Sequence, residues 1–326
     1  MTFKGLTLAG ALAATAVSMV LTSNPSHAQT FPDRSIRLLV PYAAGGVTDQ
    51  VGRQLAELAG KELGQTIVVE NKPGANGTLG PSQLVGTTPD GYLLSMAPIG
   101  IFRLPHIQPT RFDPRTDFTY VSMLAGYSSA VGVNSDSPYK SLQDLVDAAK
   151  KPGVKLSYGT SGIYSSHHLA MIQLASETGA VWTHVPFKGD SEAITSMLGN
   201  NTEVTVVANT MVPFVQSGKI RILATFGDKR SADYPQAPTA RELGFKVVQA
   251  SPFGIVGPAG IPPDVVTKLD NAFAKAMQAP RFVEFAKQVG LNLQYQHSAG
   301  YTAYAKKAFD DEKALMTVAA QSEAGK

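Results

Sequence analysis

Two turns rich in glycine and small polar residues hold the groups that could do chemistry in this chain. The first follows a short apolar run and comprises Tyr42, Ala43, Ala44, Gly45, Gly46, Val47, Thr48 and Asp49. Glycine lacks a Cβ atom, so a ligand can approach the main chain, and the first N–H groups of a helix have no partner within it. We expect this turn to bind a small acid through its amides. The alternative is a tight turn that uses glycine for its shape alone.

The second turn carries hydroxyl groups as well as amides. It comprises Thr160, Ser161, Gly162, Tyr164, Ser165 and Ser166, with His167 and His168 directly after it. Its hydroxyl and N–H groups could donate to a carboxylate, or a serine could simply cap the helix that follows. Adjacent histidines point to different sides of a helix and cannot chelate together, so we predict no metal site. We expect His168 to brace the loop or to pack.

Two further strand ends could contribute to the same cleft. Lys188 would add positive potential, unless it is a solvated surface lysine. Asn209 would reach the cleft or cap its own turn. Ligands of open α/β sheets bind beyond the carboxyl ends of the strands, where all four places are predicted to lie.

Sequence patterns typical of enzymes are absent. Gly74, Gly77 and Gly80 follow a predicted strand, but their spacing is not the Gly-x-Gly-x-x-Gly of a dinucleotide site. Ser161 does not lie in a Gly-x-Ser-x-Gly turn, which presents the nucleophile of many hydrolases. We therefore predict no enzymatic activity, no catalytic residue and no cofactor.

Strand-like and helix-like windows alternate along the chain and place these turns at strand ends. Strands are predicted at 36–40, 66–70, 92–96, 156–158, 181–185, 204–207, 220–224 and 253–256, with a second block starting near 121–133. Helices are predicted at 51–63, 78–85, 142–150 and 193–198, after the second turn, from Pro262-Pro263, and from about 281 to 290. This order predicts an α/β fold with parallel strands and right-handed crossovers.

Composition limits the location and the partners. Residues 1–28 have the pattern of a cleavable signal peptide, with Lys4, an apolar stretch and a Ser26-His27-Ala28 cleavage site. There is no cysteine, which excludes disulfides and fits a bacterial periplasm. The 28 Lys and Arg residues against 25 Asp and Glu give a formal charge of +3, too balanced to indicate nucleic acid or an anionic membrane as partner.

A series of short motifs resembles a known family. They are 31–36 (FPDRSI), 40–49 (VPYAAGGVTD), 69–77 (VENKPGANG), 88–92 (TPDGY), 185–189 (VPFKG), 218–224 (GKIRILA) and 258–262 (PAGIP). In this order and spacing they resemble the periplasmic solute-binding proteins of tripartite tricarboxylate transporters, the Bug family. The resemblance covers nearly all of the chain after the signal peptide.

The resemblance implies a two-lobe, Venus-flytrap fold, each lobe a mainly parallel sheet flanked by helices. Lobe 1 would comprise 29–125 and 250–326, and lobe 2 would comprise 126–249. In the family, main-chain donors and bridging waters from the two turns hold a carboxylate, and the protein delivers it to membrane permease subunits. The family's His-Leu pair corresponds to His168 and Leu169. Tyr164 stands where the family usually has glycine, which would narrow the pocket or add a hydroxyl.

The nature of the ligand depends on a stretch that reaches the far side of the pocket in this family. Here that stretch contains Ile99, Phe102 and Arg103. The first two would favour an apolar or aromatic ligand, and Arg103 could pair with a second carboxylate. This predicts a dicarboxylate or an aromatic carboxylate such as terephthalate. The alternative is that Ile99 and Phe102 belong to the core and Arg103 forms a surface salt bridge.

Two other functions compete with transport. The protein could report the acid to a membrane kinase as a sensing accessory, which would need the same fold and pocket. It could also be a periplasmic hydrolase that uses Ser165 or Ser166 with His168, although no orienting aspartate is identifiable. We expect a carrier, and we expect it to be a monomer.

Overall fold

The computed structural model describes residue 2 and residues 31–324, with residue 250 and residues 322–324 described through their backbone only. The chain divides into two compact units after Phe31, and the strands and helices belong to the unit Pro32–Lys326. The predicted signal peptide lies outside the described residues, apart from Thr2. Among the helices that are described, none is long and apolar enough to cross a membrane.

Eleven strands and ten helices alternate along the described chain. The strands are β1 (Ile36–Val40), β2 (Ile67–Asn71), β3 (Leu93–Pro98), β4 (Phe118–Ser128), β5 (Ala130–Asn134), β6 (Leu156–Thr160), β7 (Trp182–Pro186), β8 (Val204–Val207), β9 (Ile220–Thr225), β10 (Ala250–Pro258) and β11 (Asn292–His297). The helices are α1 (Val47–Leu63), α2 (Leu79–Ser82), α3 (Gly100–Arg103), α4 (Leu142–Ala149), α5 (Ser166–Thr178), α6 (Asp190–Leu198), α7 (Val212–Gln216), α8 (Pro263–Gln278), α9 (Pro280–Gln288) and α10 (Ser298–Ala324).

The strands form two mixed sheets. The first has the order β11-β4-β10-β3-β1-β2, and the second has the order β7-β6-β8-β5-β9. The predicted parallel pairing is found between β1 and its neighbours β2 and β3, and between β6 and its neighbours β7 and β8. The pairings of β10, β11 and β5 are antiparallel. The sheets are therefore mixed rather than mainly parallel: each has three parallel neighbours, β3-β1-β2 or β7-β6-β8, bordered by antiparallel pairings.

Each sheet has its own hydrophobic core. In the first, buried Phe102, Tyr120 and Val256 pack against Tyr301 and Ala305 of α10. In the second, buried side chains of β5, β6 and β8 pack against α4 and α5. Two separate cores let each sheet hold its strand ends in a fixed position.

The chain passes between the sheets at two places and is joined across them by its last helix. Strand β4 lies in the first sheet and β5, which starts two residues later, lies in the second; the chain returns between β9 and β10. Near its end, α10 packs Met316 and Ala319 against Leu169 and Ile172 of α5. The predicted lobe boundaries stay a prediction, and they fall close to these crossings.

Candidate ligand-binding cleft

The first predicted turn connects β1 to α1. Gly46 is the N-cap of α1, and Gly45 has φ +82°, a conformation that favours glycine. Residues 42–46 are exposed. The N–H groups of Val47 and Thr48 lie in the first helical turn and donate to none of the described residues. The turn therefore presents free amide donors, as the sequence predicts.

Asp49 shapes this turn from within. Its carboxylate is buried and accepts hydrogen bonds from the Gly45 N–H (2.8 Å), Asn71 Nδ2 (2.8 Å) and Arg53 Nε (3.0 Å). Burial favours the neutral acid, but the hydrogen bonds from Arg53, Gly45 and Asn71 outweigh it and lower the pKa of Asp49. Because the Asp49 carboxylate is already hydrogen-bonded within the protein, Asp49 positions the loop and does not contact an acidic ligand.

The second predicted turn connects β6 to α5. Ser165 is the N-cap of α5, and its Oγ accepts the N–H of His168 at 3.3 Å. The N–H groups of Ser166 and His167, at the start of the helix, donate to no other described residue. The carboxyl ends of β1 and β6 thus each lead into a helix whose first amides are available.

His168 braces the second turn from below. Its Nδ1 accepts the N–H of Tyr164 at 3.0 Å, and its ring stacks on His184 with centroids 3.7 Å apart. Tyr164 has φ +59°, which costs energy for a residue with a Cβ atom, so this hydrogen bond helps to hold it. His184 Nε2 lies 2.8 Å from Oγ1 of Thr160. These contacts fix the turn's shape and agree with the bracing role expected for His168.

A narrow cavity of about 30 Å³ lies beside the first turn. It is lined by Pro41, Tyr42, Thr48, Met96, Pro98, Tyr127, Ser251 and Phe253. The rings of Tyr127 and Phe253 stack at 5.5 Å, and the hydroxyl of Tyr127 lies 3.4 Å from Thr48 Oγ1. The lining is aromatic on one side and carries hydroxyl groups at its rim.

Tyr42 is part exposed but has an enclosed hydroxyl. The residue is 37% exposed, whereas its hydroxyl oxygen lies only 2.7 Å from the position that a Cβ atom on Gly77 would occupy. Burial raises the pKa of Tyr42 to about 12; Arg103 opposes this rise and Asp190, beside the second sheet, adds to it. Arg103 and Asp190 therefore have opposite effects on the pKa of the Tyr42 hydroxyl.

Arg103 makes an ion pair away from solvent, not on the surface. Its Nε donates to Glu312 Oε2 at 2.8 Å, its Nη2 to Oε1 at 3.2 Å, and its Nη1 to Ser166 Oγ at 2.9 Å. The expected alternatives were a ligand carboxylate or a surface salt bridge. A glutamate of α10 already holds the guanidinium bidentately, so it is not available to a second ligand carboxylate.

Ile99 and Phe102 are corrected to core residues. Ile99 is 5% exposed and Phe102 is 2% exposed, and both belong to the core of the first sheet. The ring of Phe102 stacks on Tyr120 and meets Tyr304 edge-on. Neither side chain lines the cavity beside the first turn, whose aromatic lining comes from Tyr42, Tyr127 and Phe253.

Lys188 and Asn209 also do not join the residues around the two turns. Lys188 is exposed, and only its backbone N–H is fixed, by Glu192. Asn209 donates through Nδ2 to the carbonyl of Val289, close to Gly290. Solvent surrounds the lysine ammonium, and the asparagine amide is taken up by the α9–β11 connection.

Sequence reasoning named His167 and Asp190 only as members of their turns, without a role, and it missed Tyr127 and Phe253. Asp190 follows β7 at the edge already identified, so its position could have found it. Tyr127 and Phe253 become neighbours only through the antiparallel pairing of β4 with β10. The described residues contain no cluster of three or more His, Asp or Glu side chains suited to a metal ion.

The sequence agrees with one protein family over most of its length. The family model described as "Tripartite tricarboxylate transporter family receptor" (TctC) matches residues 51–320. The chain belongs to this family. The resemblance identified from the sequence motifs is therefore confirmed.

Individual TctC relatives agree with this assignment. A Cupriavidus necator protein, named "UPF0065 protein in gbd 5'region", is 42% identical over 310 residues, 94% of each chain. The structure of the periplasmic binding protein BugD is 30% identical with a TM-score of 0.77, covering 89% of this chain and 99% of that one. The structure of R. palustris Rpa4515 with adipate is 26% identical with a TM-score of 0.79, covering 89% and 98%.

These neighbours confirm the fold class predicted for the chain. The structural neighbours are two-lobe periplasmic binding proteins of the TctC family, and this chain likewise has two sheets flanked by helices. The TctC family consists of solute-binding receptors rather than enzymes. The two turns described above lie at strand ends of this fold.

Proposed function

We propose that this protein captures a small carboxylate between the β1–α1 and β6–α5 turns and delivers it to the permease of a tripartite tricarboxylate-type transporter. The observation that carries the proposal is the pair of helix starts with available amides, at Val47 and Thr48 and at Ser166 and His167. Export to the periplasm by the N-terminal signal peptide and action as a monomer belong to the same proposal.

The available donors are sufficient for useful affinity. A hydrogen bond to a charged group contributes about 1.5–3 kcal/mol, and a helix N-terminus adds about 0.3–1 kcal/mol, or up to about 2 when partly buried. A micromolar Kd corresponds to about −8 kcal/mol. Four amides divided between two helix starts reach that range after the costs of desolvation and closure.

The finer proposal is a dicarboxylate or an aromatic carboxylate such as terephthalate. The cavity beside the first turn supports it, because Tyr42, Tyr127 and Phe253 give the ligand body a flat apolar surface. Adipate, a dicarboxylate, accompanies the R. palustris structure to which this chain is similar. Ile99, Phe102 and Arg103 do not support this ligand class, because none of them lines the cavity.

Thermal-shift screening of a carboxylate panel, followed by calorimetry, tests the ligand class. We expect stabilisation by adipate, terephthalate or another dicarboxylate, and none by neutral amides of the same acids. Stabilisation only by tricarboxylates would reject the finer proposal, and no stabilisation by any carboxylate would reject the function.

The variant Val47→Pro tests the amide donors. Proline at the first helical position fits the fixed φ of its ring and removes one N–H, and the extended N-cap Gly46 (ψ 165°) is compatible with a following proline. We expect unchanged thermal stability and about 10- to 100-fold weaker carboxylate binding by calorimetry, the loss of one charged hydrogen bond. Val47→Ala, which keeps the N–H, is the control and should bind as the native protein does. Equal affinity of Val47→Pro and Val47→Ala would contradict the role of this amide.

A further inference from the structure

Asp190 places an acidic group at the edge of the second sheet that holds the proposed site. It is the first residue of α6 and lies four positions after Pro186, the last residue of β7. Strands β6, β7 and β8 run parallel, so their carboxyl ends lie on one edge, together with the start of α5. An acid is unexpected in a cleft built for anions, and its surroundings indicate why it is tolerated.

One oxygen of Asp190 is satisfied and the other is not. Oδ2 accepts the Thr210 hydroxyl at 3.1 Å and the Ala208 N–H at 3.4 Å. Oδ1 lies 3.7 Å from His167 Nε2, beyond hydrogen-bond distance, and accepts no hydrogen bond from any described residue. The side chain is 19% exposed, so the carboxylate is largely enclosed but keeps some contact with solvent.

The neighbouring basic groups do not cancel the charge of Asp190. His167 is buried, and its Nδ1 lies 2.7 Å from the Ser129 hydroxyl. Burial lowers the pKa of His167; Asp190 opposes that change and Arg103 adds to it. The charge of Arg103 is held by Glu312 at 2.8 Å. Oδ1 of Asp190 therefore has no cationic group at hydrogen-bond distance among the described residues.

We propose that Asp190 is a specificity-determining residue whose Oδ1 accepts a hydrogen bond from a hydroxyl or ammonium group of the ligand. Among the dicarboxylates of the proposed function, the site then prefers those that carry such a donor, as 2-hydroxy and 2-amino acids do, over bare ones such as adipate. The inference rests on the proposed function, since the carboxylate itself is held by the amides of the two turns. A bare dicarboxylate would leave Oδ1 unpaired and would feel its repulsion.

Matched ligands that differ only in the donor test this inference. Succinate, malate and aspartate share one carbon skeleton; malate has a hydroxyl and aspartate an ammonium in place of a hydrogen. Calorimetry on the full native chain should give malate or aspartate at least about 10-fold tighter binding than succinate, the effect of one hydrogen bond to a charged group. Adipate and terephthalate serve as further bare ligands.

The variant Asp190→Asn should remove most of that preference. We expect the ratio of affinities to fall to about threefold or less, because aspartate or malate loses affinity and succinate, no longer repelled, gains it. Glu192→Gln, on the exposed side of the same helical turn, is the matched control and should keep the native ratio. Should Asp190→Asn fold poorly, Asp190→Ala, checked by circular dichroism, gives the same comparison.

The outcomes separate the inference from the proposed function. Tight binding of succinate, adipate or terephthalate with no gain from a donor would overturn the role of Asp190 and leave carboxylate capture standing. The role of Asp190 would also be overturned if Asp190→Asn changed the affinity for every ligand by the same factor. If no carboxylate binds the native chain at all, the proposed function and the inference both fail.

Discussion

At the scale of single residues, the most consequential contact is the ion pair of Arg103 with Glu312. The side chains are only 5% and 12% exposed, and the arginine also donates to Ser166 of α5. Removing two charges from water is costly, so such a pair is stable only while both partners are present. It joins α3, α10 and α5 at one point.

We predict that Arg103→Met lowers the free energy of unfolding by about 3–5 kcal/mol, because Glu312 is left buried without its partner. Urea denaturation followed by circular dichroism measures it. The double variant Arg103→Met/Glu312→Leu should recover most of the loss, since it leaves no uncompensated charge. Arg281→Met, which removes a 59% exposed partner of Glu57, should cost far less, because solvent screens an exposed pair. A loss at Arg103 no larger than that at Arg281 would disprove the buried role.

Residues also set the limit of what the sequence could predict. The turn at Gly45 and Gly46 was predicted correctly, because its amides depend on local chain geometry alone. For Ile99 and Phe102 the sequence left a ligand contact and a core position open, because only the packing of α10 on the first sheet decides which side of α3 is enclosed; the structure places both in the core. Arg103 was assigned no glutamate partner, since Glu312 is distant in sequence.

At the scale of elements, the start of α5 combines two demands on one residue. Ser165 caps the helix through its side chain, while the next amides, at Ser166 and His167, are left for the ligand. The cap must therefore satisfy the helix without adding negative charge to an anion site. Serine meets both requirements, and aspartate would meet only the first.

We predict opposite effects for two variants of Ser165. Ser165→Asp should keep the stability of the native protein within about 0.5 kcal/mol, since aspartate is an equally good N-cap, yet weaken carboxylate binding by at least about 10-fold through repulsion. Ser165→Ala should lower stability by about 1 kcal/mol and change binding much less. Thermal unfolding and calorimetry on both variants give the comparison. If both variants weaken binding equally, the serine hydroxyl itself contacts the ligand.

The elements were largely predictable from hydrophobic periodicity. Strand β1 matches its predicted bounds, and α4 and β8 agree within a residue. Strand β11 was missed, since five of its six residues are exposed and leave no alternating pattern. The antiparallel returns of β10 and β11 could not be seen either, because pairing direction depends on distant strands.

At the scale of the whole molecule, three connections join the two sheets. Two are the passages from β4 to β5 and from β9 to β10, and the third is α10, which packs on α5 through Met316 and Ala319. The proposed site lies between strand ends of the two sheets, so a ligand held from both sides favours the arrangement in which they approach.

We predict that a bound carboxylate reduces the radius of gyration measured by small-angle X-ray scattering, because the open population of a hinged protein decreases when the ligand contacts both sheets. The ligand is whichever acid the thermal-shift panel identifies, at saturating concentration. Val47→Pro should need a correspondingly higher ligand concentration, about 10- to 100-fold, to show the same decrease. A native radius that stays constant at saturation would contradict closure.

The single tryptophan, Trp182, is the first residue of strand β7 and is buried in the core of the second sheet. The cleft edge is at the other end of that strand, four residues or about 13 Å away. Indole fluorescence should therefore follow the melting of that core and respond little to ligand, whereas near-ultraviolet tyrosine difference spectra should follow occupancy through Tyr42 and Tyr127. The two chromophores allow unfolding and ligand uptake to be recorded separately in one cuvette.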